Sequence, residues 1–534
     1  MVKYEPKTYV ITAAQGIQNP YSAKMYGRDE TKGSPNIPLI KNIENYVEFN
    51  KGELQICGIA GSYVNEIDLH EFFHTRDDVY IHIKAKQRNE QHRKTEQVQR
   101  DFWEEQKAEV EAQGKTFRRP YPMYYFWETI PNVDYKITGK RLNTNVRIVG
   151  KQGASQNQNP LSGKKRLTKK YGGNSIILPA TKQRLETVAS GQAGEYPKLM
   201  LTSGSCTFSS YNSSIDRGED AEEMHQYGFV TVNVLNDKIF LPRIVNAQKN
   251  GTFIDLGIKY IPGKEPKKAK TTAMVIGDSH VSEINPKVET VNREMIQLLK
   301  PKHIHYNDVF NARSINLHEL DDDIEESNKF VQGISSLEEE LVLTGKYIKE
   351  NALIAKEFLG EVVINYSNHD DMLYRYLSGN KFKHDKENRI IAYKILSLGI
   401  DRYNTFEKAI KYLINDLPDN VTFLKPGQDR IYWGIQCAAH GHLGKNGTRG
   451  TLKSLMEGYL KVMMGHTHTL GVDEDGYNVG TSSKIPLKYQ LGQPSTSMAG
   501  NGAIYDGGLA QIIPIIKSQW APKNVIEFLM RNKI

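Results

Sequence analysis

The sequence predicts an α/β protein made of more than one unit. Three observations carry that expectation. The chain has 534 residues, more than one ordinary hydrophobic core accommodates. Short apolar runs of strand length alternate with segments of helical spacing. Finally, Pro262-Gly263-Lys264-Glu265-Pro266-Lys267-Lys268-Ala269-Lys270 is basic and bears Pro and Gly, with a single alanine as its apolar content. We therefore expect a separate mixed α/β N-terminal domain at 1–262, with a role in DNA binding or oligomerisation. A basic linker at 263–270 and a second domain at 271–534 follow.

Composition narrows the class. Hydrophobic residues at 39% and charged residues at 25% exclude an intrinsically disordered chain. A net charge of +8 is mild for this length; it permits a polyanionic partner without requiring one. Cys57, Cys206 and Cys437 are odd in number and far apart, which argues against a disulfide framework or zinc ribbon and for a reducing compartment. The first residues lack the pattern of a secretory signal. The apolar stretch 509–516 is too short to cross a bilayer and contains Pro514. A cytoplasmic protein without a membrane-spanning segment is expected.

Taken in order, 7–13 reads as a buried strand, 40–49 as a helix, and 54–60 and 79–83 as strands. Gly58, Gly61 and Ser62 form a turn rather than a phosphate loop, because the spacing is not G-x-G-x-x-G. Residues 84–114 are dense in Gln, Glu, Lys and Arg and read as a solvated helix. Residues 151–175 read as a flexible basic loop in which Lys164, Lys165 and Arg166 would attract a phosphate backbone. Strands follow at 198–202, 229–234, 238–245 and 252–261.

The second half is organised around five short polar stretches at strand ends. Strand 271–276 ends in Gly277-Asp278-Ser279-His280. Residues two apart in extended chain point the same way, so Asp278 and His280 can reach one ion, and Gly277 permits a sharp exit from the strand. Strand 303–309 ends in Asn307-Asp308, a carboxylate placed to bridge two cations, with Asn311 and Arg313 just beyond, where they could meet substrate; a structural role is the favoured reading of Arg313. After helices at 316–331 and 336–358, strand 361–366 presents Ser367-Asn368-His369-Asp370. The Asn368 amide can ligate without adding charge, and His369 can act as an acid or phosphate binder. A helical insertion fills 371–420, and strands return at 421–424 and 431–438. The latter ends in His440-Gly441-His442, which opens a glycine-rich loop whose Lys445 and Arg449 can approach a phosphate backbone. Residues 459–464 lead into Gly465-His466-Thr467-His468.

Asp278, His280, Asp308, Asn368, His440, His466 and His468 supply oxygen and nitrogen ligands and no sulfur. That set suits Mn, Fe, Zn or Ni rather than Ca. Two such cations a few Å apart can hold a bridging hydroxide as nucleophile and bind the phosphoryl oxygens it attacks.

These residues, in this order, resemble the calcineurin-like metallophosphoesterases, whose pattern is D-x-H, G-D, G-N-H-D/E, H and G-H-x-H. The resemblance runs from about Thr271 to the C-terminus and implies a four-layer αββα sandwich. It implies that Asp278, His280, Asp308 and His468 hold one metal, and that Asp308, Asn368, His440 and His466 hold a second. It also implies that His369 is catalytic and that Asp370 orients it. Asn307 and Ser367 stand where the family carries glycine, and His442 rivals His440. The chain as a whole resembles the pre-early DNA-degrading metallophosphoesterases of T-five-like bacteriophages. The resulting expectation is a DNase with two divalent ions, Mn²⁺ foremost, acting in host takeover in the host cytoplasm, possible as a homo-oligomer. A phosphoprotein or small-molecule phosphatase is the alternative, as is a host-takeover binding protein with secondary catalysis.

Overall fold

A computed structural model describes residues 6–15, 35–59, 79–81, 108–109, 111–114, 140–149, 159–190, 196–211, 216–320 and 322–532. The helix expected over 84–114 lies almost wholly outside these residues, as do Gly61, Ser62 and the 151–158 part of the basic loop. The described chain is mixed α/β with three mixed sheets of eight, six and ten strands.

The six-stranded sheet runs Val421–Phe423, Glu361–Ile364, His303–Tyr306, Thr271–Ile276, Gly500–Tyr505, Ala510–Pro514. The first four strands are parallel and the last two antiparallel. Thr271–Ile276 shows why its sequence is apolar throughout. Ala273 and Val275 pack into one core, and Met274 and Ile276 into another. A strand covered on both faces reads as a continuous hydrophobic run. On the Met274 side lie Val288, Met295, Leu341 and Ile348, from helices Pro286–Leu299 and Leu337–Lys356. On the Ala273 side lie Met463, Val472 and Ile177, from the ten-stranded sheet, and Ile11 and Val230, from the eight-stranded one.

The ten-stranded sheet is assembled from both halves of the chain. Ile431–Tyr432, Ile435–Gln436, Val462–Met464, Gly476–Asn478 and Gly471–Asp473 form one side. Arg184–Val188, Lys198–Thr202, Ser175–Leu178, Val146–Ile148 and Lys140–Arg141 form the other. The seam is antiparallel, with Val472 opposite Leu185 and Asp473 opposite Arg184. Arg184 reinforces it with ion pairs to Asp473 at 2.9 Å and Glu474 at 2.5 Å. The stretch 263–270 is therefore crossed by sheet pairing and by two shared cores. Its Lys267–Lys268 is itself a short strand, paired with Ile258–Tyr260.

Several elements differ from expectation for local reasons. The strand expected at 252–261 is a hairpin of Phe253–Asp255 and Ile258–Tyr260, turning at Leu256 (φ 46°) and Gly257 (φ 79°). The strand expected at 431–438 folds back likewise at Trp433 (φ 54°) and Gly434 (φ 82°). Two left-handed residues make the tight hairpin turn, and an apolar first member hides it from a reading by composition. The basic loop is partly built: Arg166–Lys170 is one helical turn, pinned because Tyr171 packs with Leu161, Ile176 and Met200. The two acidic helices start later than expected, at Asp323 and Leu337. Asp322 caps the first by accepting from the Ile324 and Glu325 amides, and Ser336 caps the second by accepting from Glu339.

Candidate metal centre

Three of the four parallel strands leave polar stretches at one end of the six-stranded sheet, where ligands of open α/β sheets gather. Asp278 follows Thr271–Ile276, Asp308 follows His303–Tyr306, and Asn368 opens the helix Asn368–Ser378 after Glu361–Ile364. His440, His466 and His468 arrive from the ten-stranded sheet, after Ile435–Gln436 and Val462–Met464. The centre therefore lies between the ends of two packed sheets.

The backbone there is held in unusual conformations. His280, Asp308, His466 and His468 all have positive φ, at 41°, 43°, 67° and 56°. Left-handed backbone at non-glycine residues persists only where surrounding structure enforces it. The paired motifs thus do not converge by extended-chain alternation, as the spacing suggested; His280, His466 and His468 are swung into place by left-handed turns. Hydrogen bonds from the amides of Ser279 and His280 to the carbonyls of Asn307 and Asp308 hold two of the strand ends together. Gly277 is needed for close approach: a Cβ there would sit 2.8 Å from the Gly480 carbonyl carbon and 2.9 Å from the Gly500 oxygen. Gly465 is needed for the site itself, because its Cβ would lie 2.2 Å from Asp278 Oδ1.

Two groups of ligand atoms result. One atom each from Asp278, His280, Asp308 and His468 lies within 4.8 Å of the others; the same holds for Asp308, His440 and His466. Asp308 belongs to both. His468 Nε2 is 3.0 Å from Asp278 Oδ2, His280 Nε2 is 3.2 Å from His468 Nε2, and His440 Nε2 is 3.1 Å from Asp308 Oδ2. The last contact is close without hydrogen-bond alignment. His440 Nε2, both Asp278 carboxylate oxygens, Asp308 Oδ1 and Asn368 Oδ1 are buried with no hydrogen-bond partner. A buried polar atom left unpaired costs about 1–3 kcal/mol, so their concentration on Asp278, Asp308 and His440, residues of the two ligand groups, fits a bound cation. The donors are oxygen and imidazole nitrogen, a set suited to first-row transition metals.

Burial pushes the His280 ring down to about 3 and the His466 ring down to about 4. Burial also opposes charge on His440, but the Asp308 carboxylate outweighs it and lifts that ring to about 9. Burial opposes charge on Asp308 as well. The surrounding imidazoles, His440 foremost, outweigh it and hold the carboxyl well below the usual carboxylate range.

His369 stands at the edge of the cluster. Its ring centroid is 4.8 Å from that of His280, and its Nε2 is 3.9 Å from Asp308 Oδ2. Its Nδ1–H donates to the Asn311 carbonyl at 2.7 Å, which turns Nε2 toward the cluster. That carbonyl holds the ring, and among the described residues the Asp370 carboxylate makes its hydrogen bond elsewhere. The Asp370 carboxylate accepts from the Ser367 amide in a capping box, and burial foremost pushes its carboxyl up to about 8. Ser367 needs no glycine-like freedom, since its backbone is extended (φ −129°) and its hydroxyl caps the helix. His442 lies outside both ligand groups, its ring centroid 5.5 Å from that of His440.

The expected substrate residues divide. Arg313 is ion-paired to Glu283 and donates its amide to Glu340, so it braces the loop after Asp308. Lys445 and Arg449 are exposed on the glycine-rich loop. Lys445 pairs with Glu457 at 3.2 Å, while Arg449 has no ion pair among the described residues. Lys165 pairs with Glu186, on the Arg184–Val188 strand, at 3.6 Å, and the structure gives no contact of Lys164, Lys165 or Arg166 with the ligand groups among the described residues. Asn311, expected beside Arg313 where it could meet substrate, holds His369 through its backbone carbonyl, and Asn365 was legible only as a polar residue ending an apolar strand; both roles rest on contacts that spacing does not reveal.

Fold and cluster together define an α/β protein with a buried Asp/His site able to hold a metal ion. Among known proteins, Protein A1 of Escherichia phage T5 is similar: 24% identical over 353 residues, which cover 63% of this chain and 62% of that protein. The match thus spans less than two thirds of that relative's length and marks a distant relationship to a phage protein. No protein-family model and no solved structure matches the chain. No helix among the described residues is long and apolar enough to cross a membrane.

Proposed function

We propose that the chain is a dinuclear-metal phosphodiesterase of the calcineurin-like type that hydrolyses DNA, acting in phage takeover in the host cytoplasm. The observation that carries this reading is the pair of ligand groups sharing Asp308, with the His369 ring held against them. The packing order of helices, six-stranded sheet and ten-stranded sheet, with Leu455 of the Leu452–Tyr459 helix against Val462 and Met464, supports the αββα reading. Asp278, His280, Asp308 and His468 would hold one ion; Asp308, Asn368, His440 and His466 would hold the other. Two divalent ions, Mn²⁺ foremost, would supply positive charge that activates water and neutralises phosphoryl oxygens.

The chain's own residues do the rest. His369 keeps its Nδ1 proton on the Asn311 carbonyl, so its Nε2 is the atom that meets substrate. From there it donates a proton to the departing oxygen or a hydrogen bond to the phosphoryl group. Arg449 and Lys445, on an exposed loop that begins at His440, track the phosphate backbone. The N-terminal half, joined through the ten-stranded sheet, extends the surface available to the duplex and to a second copy of the chain.

The test is incubation of purified protein with plasmid and linear DNA plus Mn²⁺, beside His369→Ala. The wild type should degrade both substrates, and the variant should be slower by roughly 10²–10⁴-fold. Absence of degradation under every divalent metal would sink the DNase reading. Binding separates DNA from small phosphoesters. The slope of log affinity against log salt should be steep, and Arg449→Ala or Lys445→Ala should each lower it by about one.

A further inference from the structure

Behind His440 runs a buried chain of polar side chains. His440 Nδ1 is 3.4 Å from Asn307 Oδ1, and Asn365 Nδ2 is 2.9 Å from the same oxygen. Asn365 Oδ1 is 2.9 Å from His305 Nδ1, and His305 Nε2 is 2.9 Å from the Tyr432 hydroxyl. Asn307, Asn365 and His305 are all fully buried, within a percent.

Every proton in this chain has an assigned place. Asn307 Nδ2 donates to the Ile276 carbonyl, and Asn365 Nδ2 donates to the Cys437 carbonyl at 2.8 Å. A carbonyl only accepts, so both amide orientations are settled by backbone. Asn307 therefore presents its oxygen to His440, and the hydrogen between them sits on His440 Nδ1. Asn365 presents its oxygen to His305, which must donate from Nδ1 and so accepts from Tyr432 at Nε2. Burial, which pushes His305 down to about 4, keeps that ring neutral, as the arrangement requires. The outer end is anchored in turn: the Tyr432 ring stacks on His303 at 4.7 Å, and His303 pairs with Glu361 at 2.8 Å.

We propose that Tyr432, His305, Asn365 and Asn307 are positioning residues for His440. They keep a hydrogen on Nδ1 and fix the ring's orientation, so that Nε2 is the nitrogen that faces the shared Asp308 carboxylate and is the one an ion would meet. The inference rests on the metal-centre reading of the cluster. It explains why asparagine stands at 307 beside the bridging carboxylate: the amide oxygen does for His440 what a partner on the second nitrogen does for metal-bound imidazoles generally. It also points the chain at the ion of His440, because His440 is the ligand side chain that these hydrogen bonds reach.

The experiment is calorimetric titration of the full chain with MnCl₂, on wild type, Asn365→Ala and Tyr432→Phe, with thermal melting of each ion-free protein as a check on folding. Wild type should bind two ions. Asn365→Ala should weaken one binding step roughly 10- to 100-fold and leave the other within about threefold. Tyr432→Phe, which removes only the outer hydroxyl, should weaken the same step by a smaller factor and decides the matter if Asn365→Ala does not fold. Both steps unchanged in a folded variant, or both weakened alike, would overturn the positioning role while leaving the metal centre standing. A wild type that binds no Mn²⁺ would overturn the metal-centre reading itself, and this proposal with it.

Discussion

Replacing Gly465 by alanine puts the ligand geometry under a measured load. The added Cβ would lie 2.2 Å from Asp278 Oδ1, 3.1 Å from Asn307 Cγ and 3.2 Å from Asn307 Cβ. Carbon and oxygen need about 3.2 Å, so the carboxylate must retreat by about 1 Å, whereas metal–ligand distances tolerate about 0.2 Å. Asp278 is fully buried and its main chain is tied to Gly480, Thr481 and Ser482, so the side chain has little room to rotate away. The expected loss is about 10- to 100-fold in Mn²⁺ affinity, or about 1.4–2.7 kcal/mol, together with about 1–3 kcal/mol of ion-free stability from overpacking. Calorimetric titration reads the first quantity and urea unfolding without metal reads the second. Gly458→Ala is the control, since its Cβ would meet nothing within 4 Å. A Gly465→Ala protein that binds Mn²⁺ with wild-type affinity would refute the placement of Asp278 as a ligand.

Two further outcomes concern the scaffold. Asp255→Ala should destabilise the protein by about 3–5 kcal/mol in urea unfolding, because it strands a buried guanidinium. Arg243 is 1% exposed and contacts Asp255 through Nε and Nη2, each at 2.6 Å, while Tyr46 and Gln511 donate to the same carboxylate. His225 should make stability depend on pH. Burial pushes its ring from 6.5 down to about 4, so the folded protein keeps it neutral where the unfolded chain takes up a proton. Stability from this residue is complete above 6.5 and is lost as pH falls toward 4, by up to roughly 3 kcal/mol. In His225→Gln that portion of the acid slope should disappear from a series of unfolding curves.

The candidate ligands were legible in the sequence because each carries its chemistry in its side chain and follows a readable apolar strand. Thr271–Ile276 and Lys198–Thr202 match expectation residue for residue, since both are buried strands with sharp polar boundaries. Less visible was how the ligands converge. Nothing in Asp278-Ser279-His280 announces a left-handed histidine, because that conformation is imposed by contacts with the Asp308 and Thr481 loops. The capping box that Asp370 completes with Ser367 went unread for a related reason: the serine and the aspartate three positions on were taken for their place beside Asn368 and His369, not for the helix they open. The pairing of Arg184–Val188 with Gly471–Asp473 was invisible, because short strands from distant parts of a chain leave no periodic signal of their partner.

That seam also sets a timetable. The Arg184–Val188 edge waits for a partner strand made almost 290 positions later, at Gly471–Asp473, and His466 and His468 emerge just before it. At ribosomal speeds of about 5–20 residues per second, the gap is roughly 15–60 seconds. During that interval the nascent chain carries an open sheet edge and lacks two imidazoles of its centre. A candidate metal centre made this way stays incomplete on the ribosome until synthesis has passed His468, and the segment that completes it leads directly into the strand that closes the sheet.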